Sequence, residues 1–301
     1  MNTKLYSQAC CSAGTPLLGS LEMSLNTENL LRIGLTYDYN LLQSVYNGTN
    51  RLNDNTRERL TRSLLLEISY GFSKKISVSL LSSFINQNRT INFSQQSTQQ
   101  ISVNGIGDWL LLLKYNIKNS DIIDQSDIAI GFGLKLPTGK SNILDKGILL
   151  PADMQPGSGS FDYLIWGYYS KGFIPYLPLN VIANVSYKIN TTHKRFANSK
   201  LGYKFGNETI ITAGIGYRTD TFLDFSLFFR LRNTNNDVFD DEKIPNTGGT
   251  WFYLIPGLNF KISENLTSRV TSQLPIYRNL IGTQLTTTYT VTISLFHTIT
   301  L

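Results

Sequence analysis

The chain has 301 residues, 12% of them aromatic and 16% charged, with a formal net charge of +6. Its mean hydropathy is -0.11, and no run approaches the ~20 apolar residues of a membrane helix, which excludes a polytopic helical protein. The basic residues are spread along the chain rather than clustered, so a pI of ≈ 9.1 does not argue for nucleic acid.

In chain order, the first feature is Ser7-Gln8-Ala9 ahead of Cys10-Cys11, the only cysteines. Small residues at -3 and -1 resemble a signal-peptidase site, although MNTKLY is too short for the apolar stretch that should precede it. The expectation is a mature protein starting near Cys10. A lipidated Cys10 and a thiol pair holding a soft metal are the alternatives. Residues 1–28 read as a signal-peptide remnant and N-terminal periplasmic segment, and 29–301 as one β-barrel.

Strands follow. Leu31 to Tyr39 alternates, then a polar loop runs from Gln43 to Asn55. In Arg59 to Phe72, Leu64, Leu66, Ile68 and Tyr70 face one way and Ser63, Glu67 and Ser69 the other. Period two over such a length is a strand. Ser73-Lys74-Lys75 turns into Ile76 to Ile85, a polar loop spans Asn86 to Asn104, and Asp108 to Ile117 alternates again. The stretch from Asp127 to Lys171 is the organising unit: a strand with Ile128, Ile130, Phe132 and Leu134 opposite Ala129, Gly131, Gly133 and Lys135, a long Gly/Pro/Ser loop, and a second strand from Phe161. Then come Leu179 to Tyr187, Ser199 to Phe205, Thr209 to Tyr217, Phe222 to Arg232, Trp251 to Ile262, Leu266 to Leu274 and Tyr289 to Leu301.

This pattern is all-β: a transmembrane antiparallel β-barrel. Lipid-facing and lumen-facing residues alternate, and aromatics sit near strand ends. About thirteen candidates emerge, whereas bacterial barrels have even strand numbers. Twelve is the expectation, with the surplus between Lys171 and Asn233, and fourteen is the alternative. Charge facing lipid at mid-membrane costs roughly 2–4 kcal/mol per Arg or Lys. Arg57, Arg59, Glu67, Asp108, Lys114, Lys135, Asp162, Lys188, Lys200, Lys204, Arg218, Asp224, Arg230, Arg232 and Arg269 are therefore expected to line the lumen.

Chemistry-bearing motifs are sparse. Pro137-Thr138-Gly139-Lys140-Ser141 lacks the spacing and following helix of a phosphate loop. Gly157-Ser158-Gly159-Ser160 is not a nucleophile elbow. His193 and His297 are the only histidines, and no zinc spacing or cofactor motif occurs.

Gly105-Ile106-Gly107-Asp108, Lys135-Leu136-Pro137-Thr138-Gly139-Lys140 and Leu150-Pro151 to Gln155-Pro156-Gly157-Ser158-Gly159-Ser160 resemble a family of outer-membrane transporters named after the meta-pathway of phenol degradation. Tyr70-Gly71-Phe72-Ser73, Leu274-Pro275-Ile276-Tyr277-Arg278 and Gly282-Thr283-Gln284-Leu285 are similar too, and Cys10-Cys11 resembles a Bacteroidetes-like subgroup. The resemblance implies a barrel that passes small, often hydrophobic or aromatic compounds. The expectation is thus a non-enzymatic, porin-like channel in the bacterial outer membrane, without cofactor or nucleic acid. Its partners would be membrane lipid and a small hydrophobic, aromatic or anionic solute; protein partners are left open. A non-conducting scaffold barrel and an outer-membrane hydrolase are the rival readings.

Overall fold

The computed structural model describes residues 28–301 except 95–96, 122–123 and 174–175. The expectations for the N-terminal segment and for Cys10-Cys11 lie outside the described residues. Spanning strands are β1 (Leu30–Gly48), β2 (Arg57–Gly71), β3 (Ile76–Ser94), β4 (Ser97–Ile106, then Trp109–Lys118), β5 (Ser126–Leu136), β6 (Asp162–Gly172), β7 (Leu179–Asn190), β8 (Glu208–Tyr217), β9 (Leu223–Thr234) and β10 (Gly249–Lys261). A last continuous strand runs from Leu266 to Thr300.

That last strand must be two. Every ladder in the ring is antiparallel, and an antiparallel ring closes only with an even number of strands. The 35 residues would also stretch to about 115 Å, far beyond a bilayer. The pairing resolves it. Residues 267–280 run against β10, whereas 283–300 run against β1. The chain reverses at Gly282, which has φ 75°, a conformation open to glycine without strain. The arms are β11 (266–280) and β12 (283–300), and the ring has twelve spanning strands.

Ser199 to Phe205 is the surplus candidate. It lies in the β7–β8 connection and contributes only a two-residue ladder, Tyr203–Lys204. Asn86 to Asn104 is not a loop, because β3 and β4 stay paired through it from Phe84↔Ile106 to Asn92↔Thr98. Long connections (49–56, 137–161, 191–207, 235–248) share one rim with the Ser94 and Ser97 ends of β3 and β4 and with the β11–β12 turn. Short ones (72–75, 119–125, 173–178, 218–222, 262–265) and the described chain ends share the other. Bacterial barrels carry long loops outside and short turns in the periplasm, which orients the molecule.

Alternation follows the sequence pattern. Ile33, Leu35, Leu64, Leu66, Ile68, Phe225, Leu227, Phe229 and Leu231 are exposed on the outer wall. Outward aromatics form two belts: Phe72, Tyr115, Tyr169, Tyr217 and Phe222 near the short-turn rim, and Phe84, Trp109, Phe161, Tyr163, Tyr187 and Tyr277 towards the other. Inside, β5 presents Ala129, Gly131 and Gly133. Trp166 lies flat over Gly131, where a Cβ would come within 2.1 Å of its ring, and Leu112 and Leu164 pack over Gly133. Small residues on this strand make room for large ones on its neighbours.

Candidate functional site

The β5–β6 connection turns into the barrel mouth. Its root is held by Asp108, at the break in β4. One carboxylate oxygen accepts from the Gly139 amide at 3.0 Å; the other accepts from the Ser158 amide at 2.8 Å and the Ser158 hydroxyl at 2.7 Å. Lys135 lies 3.4 Å from the same carboxylate and also contacts Asp162. Gly139 and Gly157 meet backbone to backbone, since a Cβ on Gly157 would sit 2.5 Å from Gly139. Pro156 packs on Gly105. The three segments Gly105–Asp108, Lys135–Lys140 and Gln155–Ser160 thus converge on one carboxylate.

Beyond this root the loop crosses the lumen. Asp153 pairs with Arg59 of β2 at 2.8 Å, both side chains almost fully buried. Met154 is buried with Val103 and Leu150, and Ala152 with Phe196 and Tyr203. The Gln155 side-chain amide bonds the backbone of Ile143 and Leu150 and braces the segment internally. From above, loops 191–207 and 235–248 form a small sheet in which Tyr203 pairs with Phe239. Asp237, in this cap, accepts from the Tyr203 hydroxyl at 2.5 Å and the Gly206 amide at 2.8 Å. Burial pushes its carboxyl up to about 6.

Between this plug and the wall formed by β3 to β9 lies a cavity of about 130 Å³. Its lining sets Lys135, Lys188 and Arg232 against Asp108, Asp153, Asp162, Glu208 and Asp237. Glu208 accepts from Arg232 at 2.5 Å and lies 3.6 Å from Lys188. Apolar arcs flank it along the inner wall. One contains Leu65, Leu81, Leu112, Leu164, Trp166 and Tyr168; the other contains Phe228, Trp251, Tyr253 and Ile255. Ile182 packs against both.

The residues expected in the lumen divide as follows. Arg59, Glu67, Lys114, Asp162 and Arg230 are buried on the inner parity of spanning strands. Lys135, Lys188, Arg232 and Asp224 share that parity and are partly exposed, as is Arg269, which donates to Asn259. Asp108 points into the plug root. Arg57 sits at the upper end of β2, 3.7 Å from Asp54. Three differ from expectation: Lys200 and Lys204 lie in the β7–β8 connection and exposed Arg218 in a short turn, because no spanning strand covers Ser199–Phe205 and β8 ends at Tyr217. Sequence reasoning missed Arg32, Asp153, Glu208 and Arg278. Arg32, which bonds Glu67 at 2.8 Å, was legible from parity. Arg278 lies beyond the end assigned to its strand, and Asp153 in an aperiodic loop gave no signal.

His193 is buried against Gly159 and Phe196, and burial pulls its imidazole below the ordinary value. His297 faces outward.

A closed twelve-stranded antiparallel ring, apolar outside, with paired charges inside and a loop folded into its mouth, is a β-barrel of the bacterial outer membrane. Among solved structures it is similar to the COG4313 outer membrane channel from Pseudomonas putida F1, at TM-score 0.74 and 10% identity over 93% of this chain and 98% of that one. The β domain of the Bordetella autotransporter BrkA (TM-score 0.49, 10% identity, 90% and 100% covered) and the CymD monoaromatic hydrocarbon channel (0.46, 10%, 91% and 89%) are less similar. No family model matches the chain, and no curated protein is similar to it in sequence.

Proposed function

We propose that the barrel is a passive channel for small, weakly polar solutes carrying a ring. The carrying observation is the pair of apolar, aromatic arcs on its inner wall, bridged at Ile182. A general porin for hydrated ions needs a polar passage. Here the inward charges are largely matched in pairs, as in Arg32–Glu67, Arg59–Asp153, Lys135–Asp162 and Arg232–Glu208. That matching weakens an anion-selective reading, because fixed charge steers ions only to the extent that it is uncompensated.

Uptake into proteoliposomes tests this. A neutral phenol-sized solute should enter faster than a carboxylate or ammonium of equal size, and Trp166→Ala with Tyr253→Ala should erode the difference. Equal rates for all three solutes would reject the reading. A second reading, a non-conducting scaffold, draws on the buried plug: Met154 and Asp153 are almost wholly inaccessible. Zero conductance and zero uptake from a folded barrel would favour it.

A further inference from the structure

The outer wall carries a groove of about 500 Å³ beneath the overhang of loops 191–207 and 235–248. It lies outside the lumen, at the level where the wall changes from apolar to polar. One ladder row there reads Tyr187, Thr209, Asn233, Thr250 and Asn279, all on the outward parity. The outward row two residues towards the periplasm reads Val185, Ile211, Leu231, Phe252 and Tyr277. Two strand residues span about 6.8 Å, so lipid tails and amide side chains are separated by less than a headgroup's depth.

The cap supplies the charge. In its small sheet Lys204 pairs with Val238, and Val238 with Lys243. Paired residues share a face, and this face lines the groove. Tyr203, Phe239 and Glu242 form the opposite face, so the acidic side chain of that row points away from the groove. Lys204 and Lys243 stand two strands apart, about 10 Å between backbones.

We propose that this groove binds the phosphorylated sugar headgroup of an outer-leaflet glycolipid. Two lysines meet phosphate, Asn233 and Asn279 meet sugar hydroxyls, and the apolar row below meets acyl chains. The long-loop rim places the site in the outer leaflet. The amide row favours a glycosylated headgroup over a plain phospholipid, which offers few hydroxyls to bond.

Native mass spectrometry of the detergent-purified barrel, titrated with bisphosphorylated lipid A, tests the site. Lys204→Gln with Lys243→Gln should weaken binding about 25-fold, at roughly fivefold per lysine. Lipid A stripped of phosphate should bind the unaltered protein comparably weakly, and phosphatidylglycerol should also bind weakly. Lys74→Gln with Lys75→Gln, on the opposite rim, should change nothing. Binding by the groove variant within about twofold of the parent would overturn the proposal. So would phosphatidylglycerol binding as tightly as lipid A. If the double variant fails to fold, the unaltered protein decides: equal affinity for phosphorylated and phosphate-free lipid A overturns the site.

Discussion

Replacing Asp153 by Ala should release the crossing segment of the plug. The Asp153 carboxylate and the Arg59 guanidinium approach to 2.8 Å with side-chain exposures of 1% and 2%. At an effective dielectric near 20, that contact is worth about 6 kcal/mol before desolvation is counted. Deleting one partner strands the other charge, and such losses run to about 3–5 kcal/mol. The loop root is unaffected, because Gly139 and Ser158 remain bonded to Asp108. Only the closed position of the segment around Met154 loses support. Its open-to-closed ratio should rise roughly a hundredfold to a few thousandfold. In planar bilayers this appears as longer dwell at a higher conductance level. The double substitution Arg59→Met with Asp153→Leu should restore closure, since apolar groups of similar volume can replace a buried pair. A folded Asp153→Ala barrel with parental conductance and dwell times would refute the role given to the pair.

Gly157→Ala should loosen the plug root, because its methyl would fall 2.5 Å from the Gly139 backbone; hydrogen exchange at Gly139 and Ser158 should accelerate while exchange in β2 does not. The cap should weaken with alkali. The Asp237 carboxyl is raised from 3.8 to about 6 in the closed cap, so its contribution is complete below the lower value and lost as pH rises through the upper. The full span is about 3 kcal/mol. Protection of loops 191–207 and 235–248 should be greater at pH 5 than at pH 8, and Asp237→Asn should flatten the profile; a profile unchanged by that substitution would remove Asp237 from the explanation. Cysteine at position 229 should react with a lipid-phase probe and cysteine at 230 should not, since Phe229 is exposed and Arg230 is buried; reversed labelling would invert the wall assignment.

The strands with one apolar face were legible in the sequence, and those with two polar faces were not. β9 alternates Leu, Phe, Leu against Asp, Ser, Arg, and its expected span from Phe222 to Arg232 nearly matches the observed one. The upper halves of β3 and β4 are mostly Asn, Gln, Ser, Thr and Arg with a few scattered Ile and Val, so no sustained period in hydropathy marks the ladder that β3 and β4 keep to Asn92↔Thr98. Thr-rich 283–288 hid the start of β12 for the same reason. Ser199–Phe205 misled in the opposite sense. Its Leu, Tyr and Phe alternate, but Gly202 has φ 94° and Tyr203 packs into the cap instead of a wall. The plug site was legible only as three separate loop signatures. Their meeting point is a carboxylate bonded to backbone amides 31 and 50 residues away, and such bonds leave no trace in residue type.

The ring is sealed by β1 and β12, where Leu30 pairs with Thr300 and the ladder runs up to Asn47↔Thr283. These partners are almost a whole chain apart. Closing a longer loop costs only slowly growing entropy, but distant pairing delays folding steeply. Every other seam is a hairpin between neighbours in sequence. Assembly therefore has one step that no local event can replace, and until it occurs the sheet carries two unsatisfied edges in a medium without water to pair them. A chain shortened by its final strand should form hairpins and still fail as a barrel, exposing an edge that pairs with other copies of itself.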